Sequence, residues 1–161
     1  MFTDEQFTDL VKKYIDAVFR VAFGCLKNRD DADDITQNVF LKLYRQQKPF
    51  ASEDHIRYWL IRVTVNECKS LLRAPWRRTE SFEDYAKTLS FQTTAHSELF
   101  YAVMELPKKY RLPIYLHYYE GYSTAELAAI LGVPKGTVCT NLKRGRDLLR
   151  NQLQEADADE E

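Results

Sequence analysis

The chain has 161 residues, of which 45 % are apolar and 29 % charged, and its formal net charge is −1. That is enough chain for one ordinary domain or two small ones, of globular composition. No apolar run approaches the roughly 20 residues that cross a bilayer, and the start, Met1-Phe2-Thr3-Asp4-Glu5, is acidic with no apolar stretch of a signal peptide behind it; a cytoplasmic protein with no membrane insertion of its own is expected.

Helical periodicity dominates, and no two-residue alternation suggests strands, so the expected fold class is all-α. A first helix opens at Thr3, where Thr3 and Gln6 have capping-box spacing. Phe7, Leu10, Val11, Tyr14, Val18, Val21 and Ala22 then recur at three- and four-residue steps and form its apolar face. A second helix follows Asn28, with Asp30, Asp31, Asp33 and Asp34 crowding its first turn, where the helix dipole favours negative charge; it runs to about Gln46. Lys48-Pro49-Phe50 lie in a loop, and Ser52 or Asp54 caps a third helix that runs to about Arg73, with Pro75 closing it.

Weak periodicity marks residues 79–95 as a linker, with a short ordered piece expected around Phe82 to Tyr85. The second helical unit begins near His96. Pro107 starts a helix, a position where its missing N–H costs nothing, whereas Pro113 should kink or restart that helix, and Gly121 ends it. Residues 154–161 are too acidic to pack and are expected to form a disordered tail. The expected layout is thus two small helical domains, 1–78 and 96–153, joined by a linker and followed by the tail. Cys25, Cys68 and Cys139 form no CxxC and no metal cluster; each is read as a small apolar helix residue.

Ser123-Thr124-Ala125-Glu126 is a second capping box, opening a helix through Leu131. Gly132 supplies the positive φ of a tight turn, and Pro134 starts the next helix. Small Ala128 lies four residues before Gly132 and branched Val138 six after it, the spacing of a helix-turn-helix whose second helix enters the major groove. On that second helix Val138, Leu142, Gly145 and Leu149 share one side. Thr140, Lys143 and Arg144 point away, with Thr137 and Asn141 at the margin. Arg and Lys reach guanine edges or phosphates, and Thr and Asn read base edges. Lys135, Lys143, Arg144, Arg146 and Arg150 oppose only Asp147 here, while every charge from Glu155 to Glu161 is negative. A near-zero total therefore hides a basic helix, and local charge is what a phosphate feels.

Two faces of the first unit are not required by folding. On the second helix Ile35, Val39, Phe40 and Leu43 form the core side, while Asp34, Gln37, Asn38, Leu41 and Arg45 collect opposite. Leu41 is either an ordinary exposed leucine or the apolar centre of a polar-rimmed interface. On the third helix Ile56, Leu60, Val63 and Leu71 are expected to be buried. Arg62, Asn66, Lys69 and Arg73 occupy another stripe, bordered by Tyr58 and Trp59 and extended by Arg77 and Arg78. Cations that track a backbone beside aromatics on which bases stack suit single-stranded DNA; a solvated basic face with Trp59 as a core anchor satisfies the same pattern.

Residues 31–45, Asp31-Ala32-Asp33-Asp34-Ile35-Thr36-Gln37-Asn38-Val39-Phe40-Leu41-Lys42-Leu43-Tyr44-Arg45, resemble region 2 of the sigma-70 family, as does Trp59-Leu60-Ile61-Arg62-Val63-Thr64-Val65-Asn66. Leu106-Pro107-Lys108-Lys109-Tyr110-Arg111, Tyr118-Tyr119-Glu120-Gly121-Tyr122-Ser123 and Gly136-Thr137-Val138 are similar to region 4. Two such domains without a middle domain or an acidic leading region resemble the extracytoplasmic-function group of RNA polymerase sigma factors. The resemblance implies a non-enzymatic protein, without a cofactor or metal, that binds core polymerase and directs promoter recognition and transcription initiation. It implies docking on the β′ clamp helices through Asp34, Gln37, Asn38 and Leu41. The loop from Lys48 to His55 and the third helix, with Tyr58, Trp59, Arg62, Asn66, Lys69 and Arg73, would capture the −10 element of promoter DNA. Thr137, Thr140, Asn141, Lys143 and Arg144 would read the −35 element. An anti-sigma factor, in some systems membrane-anchored, is the implied regulator. Asn38 stands where the family usually has Glu, and Cys139 and Asn141 where many members carry Lys or Arg.

Other classes fit less of the chain. A conventional helix-turn-helix regulator, with residues 1–75 as a dimerisation module, predicts homodimers on a palindromic operator. An enzyme lacks support, since His55, His96 and His117 are scattered and no glycine-rich phosphate loop or base-paired nucleophile appears.

Overall fold

The structure, a computed structural model, describes residues 2–73 and 94–160. The described residues form seven α-helices and no strand, in two compact units, Met1–Glu80 and Ser81–Glu161.

In the first unit α1 (Asp4–Leu26), α2 (Arg29–Tyr44) and α3 (Glu53–Leu72) each pack on the other two. Side chains cap every start. The Gln6 N–H donates to Thr3 Oγ1 (3.1 Å) and the Thr3 N–H to Gln6 Oε1 (3.0 Å); Asn28 caps α2 through the Asp31 N–H, 2.9 Å from Oδ1. Of the two candidates for α3, Ser52 is the cap, its Oγ accepting from the His55 N–H at 3.1 Å. Each cap satisfies an N–H that no helical carbonyl can reach.

Val18, Val21, Phe23 and Leu26 of α1 meet Ile35, Val39, Phe40 and Leu43 of α2 and Ile56, Leu60, Ile61 and Val65 of α3 in the core. The early apolar positions of α1, Phe7, Leu10 and Val11, are only half-buried. On α3 the expected face is rotated: Val63 and Leu71 are half-buried, while Ile61, Thr64, Val65 and Cys68 are buried. Thr64 reads as a surface residue but donates its hydroxyl to the Leu60 carbonyl at 2.6 Å. With its polar group satisfied inside the helix, it joins the core at little desolvation cost. Thr36 does the same against the Ala32 carbonyl (2.7 Å).

In the second unit α4 (Thr94–Met104), α5 (Lys108–Tyr118), α6 (Thr124–Leu131) and α7 (Lys135–Glu160) surround Phe100, Met104, Ile114, Tyr115, Leu127 and Val138. Pro107 is the cap residue before α5. Helix α5 does not restart at Pro113, which lies inside it, buried. In its second turn Pro113 removes one ladder bond, to the Lys109 carbonyl, and adds an apolar ring to the core. The helix closes at Tyr118, and Gly121 follows with φ 78°.

One expectation at the end of the chain differs from the structure. Helix α7 continues to Glu160, through residues expected to form a disordered tail. Extending a helix that is already nucleated and packed costs far less than starting one, and Leu, Gln, Glu and Ala extend it well. The linker 79–95 and its ordered piece at Phe82 to Tyr85 fall almost wholly outside the described residues, as does Pro75.

Gly145 is where α7 crosses α5. A Cβ there would sit 2.8 Å from Ile114 Cγ1 and 3.3 Å from Tyr110 Cβ. Gly145→Val is therefore expected to destabilise the protein by about 1–3 kcal/mol through overpacking, measurable as a lower denaturant midpoint.

Candidate nucleic-acid interface

The helix-turn-helix of the second unit is built by its turn. The Ser123 capping box is complete, with Glu126 N–H to Ser123 Oγ at 3.1 Å and Ser123 N–H to Glu126 Oε1 at 3.0 Å. Gly132 adopts φ 68°, and the N–H groups of Gly132 and Val133 both reach the Ala128 carbonyl, at 2.9 and 3.2 Å. This closes α6 and sends the chain into α7 with Val138 fully buried at the junction. Leu142 and Gly145 continue the buried side, whereas Thr137, Thr140, Lys143 and Arg144 are exposed and Asn141 is half-buried.

The basic groups of this face have neighbours. Lys109 foremost, and Arg144 with it, hold the Tyr110 phenol below its ordinary range, which puts Arg144 at the edge of the α5–α7 contact. Arg146 donates to the exposed Tyr118 hydroxyl at 2.9 Å. Cys139 corrects an expectation: Cys25 and Cys68 are buried apolar residues, but Cys139 is an exposed free thiol, one step past Val138 and so turned to the outer side.

On α2, Asp34, Gln37, Asn38 and Arg45 are exposed and Leu41 is 48 % exposed among them. Tyr44, one turn on, is 53 % exposed, with its ring edge-on to Phe7 at 5.1 Å. It is three residues from Leu41 and therefore on Leu41's face. Asp33, in the acidic start of α2, has its carboxyl raised by burial against the pull of Arg29. Among the described residues no group of His, Cys, Asp and Glu is placed to hold a metal ion.

On α3, Arg62, Asn66 and Arg73 are exposed, and Tyr58, Trp59 and Lys69 are half-buried; Arg77 and Arg78 lie outside the described residues. Trp59 is not a core anchor. Its indole stands at 78° to the Phe50 ring, with centroids 5.8 Å apart, and Phe50 belongs to the loop before α3. That loop and the start of α1 border a cleft of about 490 Å³, with Phe2, Leu10, Pro49, Phe50 and Ile56 among its walls. The stripe and the aromatics thus form one continuous surface of the first unit.

Two family models match the chain: sigma-70 region 2 over residues 10–78 and sigma-70 region 4 over residues 96–149. The ECF RNA polymerase sigma-E factor of Haemophilus influenzae is 30 % identical over 145 residues, 79 % of this chain and 77 % of its own. The chain belongs to the ECF group of sigma-70-family sigma factors. Among its ECF relatives, SigW of Bacillus subtilis is 29 % identical over 173 residues, covering 94 % of this chain and 90 % of its own, and SigE of Mycolicibacterium smegmatis 31 % over 156 residues, covering 90 % and 60 %. Two solved structures share the fold: the sigma factor RpoE of Bartonella quintana in complex with the anti-sigma factor NepR (TM-score 0.64, 20 % identity, 92 % of this chain and 96 % of that one), and CnrH in complex with the cytosolic domain of CnrY (TM-score 0.61, 24 % identity, 95 % and 90 %). Region 2 of this ECF factor holds the α2 and α3 surfaces, and region 4 the helix-turn-helix.

The cysteine burial gives a direct check. An aromatic disulfide reagent is expected to label one thiol, Cys139, in the native protein and all three after denaturation. Labelling of Cys25 or Cys68 without unfolding would contradict the packing described.

Proposed function

We propose that this ECF factor selects promoters by holding two weak DNA-binding surfaces on core RNA polymerase, and that it catalyses no covalent step itself. Residues 1–78 dock on the β′ clamp helices through Asp34, Gln37, Asn38 and Leu41. Tyr58, Trp59, Arg62, Asn66, Lys69 and Arg73, with the loop before α3, take unpaired bases of the −10 element, whose stacking on protein aromatics replaces lost base stacking. Residues 96–153 read the −35 duplex through Thr137, Thr140, Asn141, Lys143 and Arg144, and residues 79–95 link the two. The carrying observation is the division of α7: Val138, Leu142 and Gly145 buried, Thr137, Thr140, Lys143 and Arg144 exposed, on the second helix of a helix-turn-helix.

Promoter binding by RNA polymerase places the protein in the cytoplasm; no helix among the described residues is long and apolar enough to cross a membrane. The RpoE and CnrH structures are complexes with NepR, an anti-sigma factor, and with the cytosolic domain of CnrY. An anti-sigma factor, membrane-anchored or free, is accordingly the proposed regulator here.

Run-off transcription with purified core polymerase tests the assignments. Arg144→Ala is expected to cost about 1–3 kcal/mol of discrimination at one −35 position; unchanged promoter choice and strength would remove α7 from the −35 element. Leu41→Asp is expected to weaken core binding roughly tenfold or more by placing a charge in a desolvated contact. Undiminished co-elution with core would mean the docking face lies elsewhere.

A further inference from the structure

The loop that enters α3 is held by a histidine that the fold does not need. In a capping box the third helical residue returns a side chain to the cap's own N–H. Here that residue is His55, and its Nδ1 accepts instead from the Ala51 N–H, 3.1 Å away and one residue further out. The Ser52 hydroxyl accepts from the His55 N–H in return. The lock therefore reaches past the helix into the loop. The same imidazole stands edge-on to Phe50, with centroids 5.1 Å apart at 73°. Phe50 is further contacted by Trp59 at 5.8 Å and by the stacked Phe2 ring at 6.1 Å. Beside them, Lys13 of α1 pairs with Glu53 at the first position of α3 (2.7 Å). This holds the Glu53 carboxyl below its ordinary range and the Lys13 ammonium above its own.

Residues 51–55 are all exposed. Water could satisfy the Ala51 N–H as well as His55 does, so folding gains little from the lock. What it does is remove conformational freedom from a loop whose neighbours are the aromatics of the DNA-facing surface. Ordering such a loop before binding spares that cost at binding and fixes which base shape fits.

We propose that His55 is a positioning residue for promoter reading: by accepting from Ala51 and packing on Phe50 it presets the loop that meets the −10 bases. The proposal rests on the −10 assignment made above. Its test uses holoenzyme, the full chain with core polymerase, on a promoter library randomised across the −10 element. His55→Phe keeps a ring but has no acceptor; His55→Asn puts an acceptor close to where Nδ1 stands. The Phe variant is expected to lose roughly tenfold of −10 base preference, about the worth of one ordering hydrogen bond, with core affinity, −35 preference and melting temperature unchanged. The Asn variant is expected to recover most of that preference. Wild-type preference in the Phe variant overturns the proposal, as does an Asn variant no better than Phe. A Phe variant that melts earlier overturns it too, because the lock would then serve the fold. Trp59→Ala and Asn66→Ala run alongside. If these flatten the −10 profile and His55→Phe does not, the lock alone fails; if they also leave it intact, the −10 assignment fails and the lock with it.

Discussion

The approach of α7 to α5 at Gly145 is the constraint on which the outer face of α7 in the second unit depends. A side chain at that position would meet Ile114 at 2.8 Å. Its absence lets the helices close, and that closure fixes the rotation of α7. With Gly145, Leu142 and Val138 turned inward, the 100° step per residue leaves Thr137, Thr140, Lys143 and Arg144 no alternative but solvent. The interior thus decides which side chains face outward, and on the proposed reading their chemistry then decides what they contact.

The first unit works by a related logic with different parts. Its core is closed by helix caps and by two buried threonines whose hydroxyls return to their own helices, to Ala32 and Leu60. Because the three helices satisfy themselves, the outer faces of α2 and α3 are free to carry residues that folding does not require. One of these faces has an apolar centre in an acidic and amide rim; the other is cationic and aromatic. An apolar centre of that kind suits a protein partner, and cations beside aromatics suit nucleic acid. The Lys13–Glu53 tie anchors the second of them at its loop end. With Glu53 lowered and Lys13 raised, that tie is fully present at neutral pH. It is lost in acid as the pH falls through the folded Glu53 pKa, and in alkali only as it rises through that of Lys13.

Much of this was legible in the residues. Both capping boxes, the turn at Gly132 and the two faces of α7 followed from spacing, because caps and positive-φ turns are local and α7 alternates strongly. The buried side of α3 was less legible, since Thr64 is polar by type and apolar by behaviour once its hydroxyl is bonded internally. Cys139 misled in the opposite direction: residue type suggested an apolar position, and only the helix rotation turns it outward. The continuity of α5 through Pro113 depended on tertiary packing that no local rule reports, and that of α7 to Glu160 on extension of a helix already nucleated. The contact between His55 and Ala51 has no motif at all. It arises from a histidine at a position where a capping box would carry Glu or Gln.

On the proposed reading two small DNA-binding units become selective when polymerase holds both. Footprinting the same promoter duplex with the purified chain alone and with the chain bound to core enzyme tests that most directly. Protection of both the −10 and −35 elements is expected only in the presence of core. Equal, sequence-specific protection by the chain alone, above all as a homodimer on a palindromic site, would contradict it.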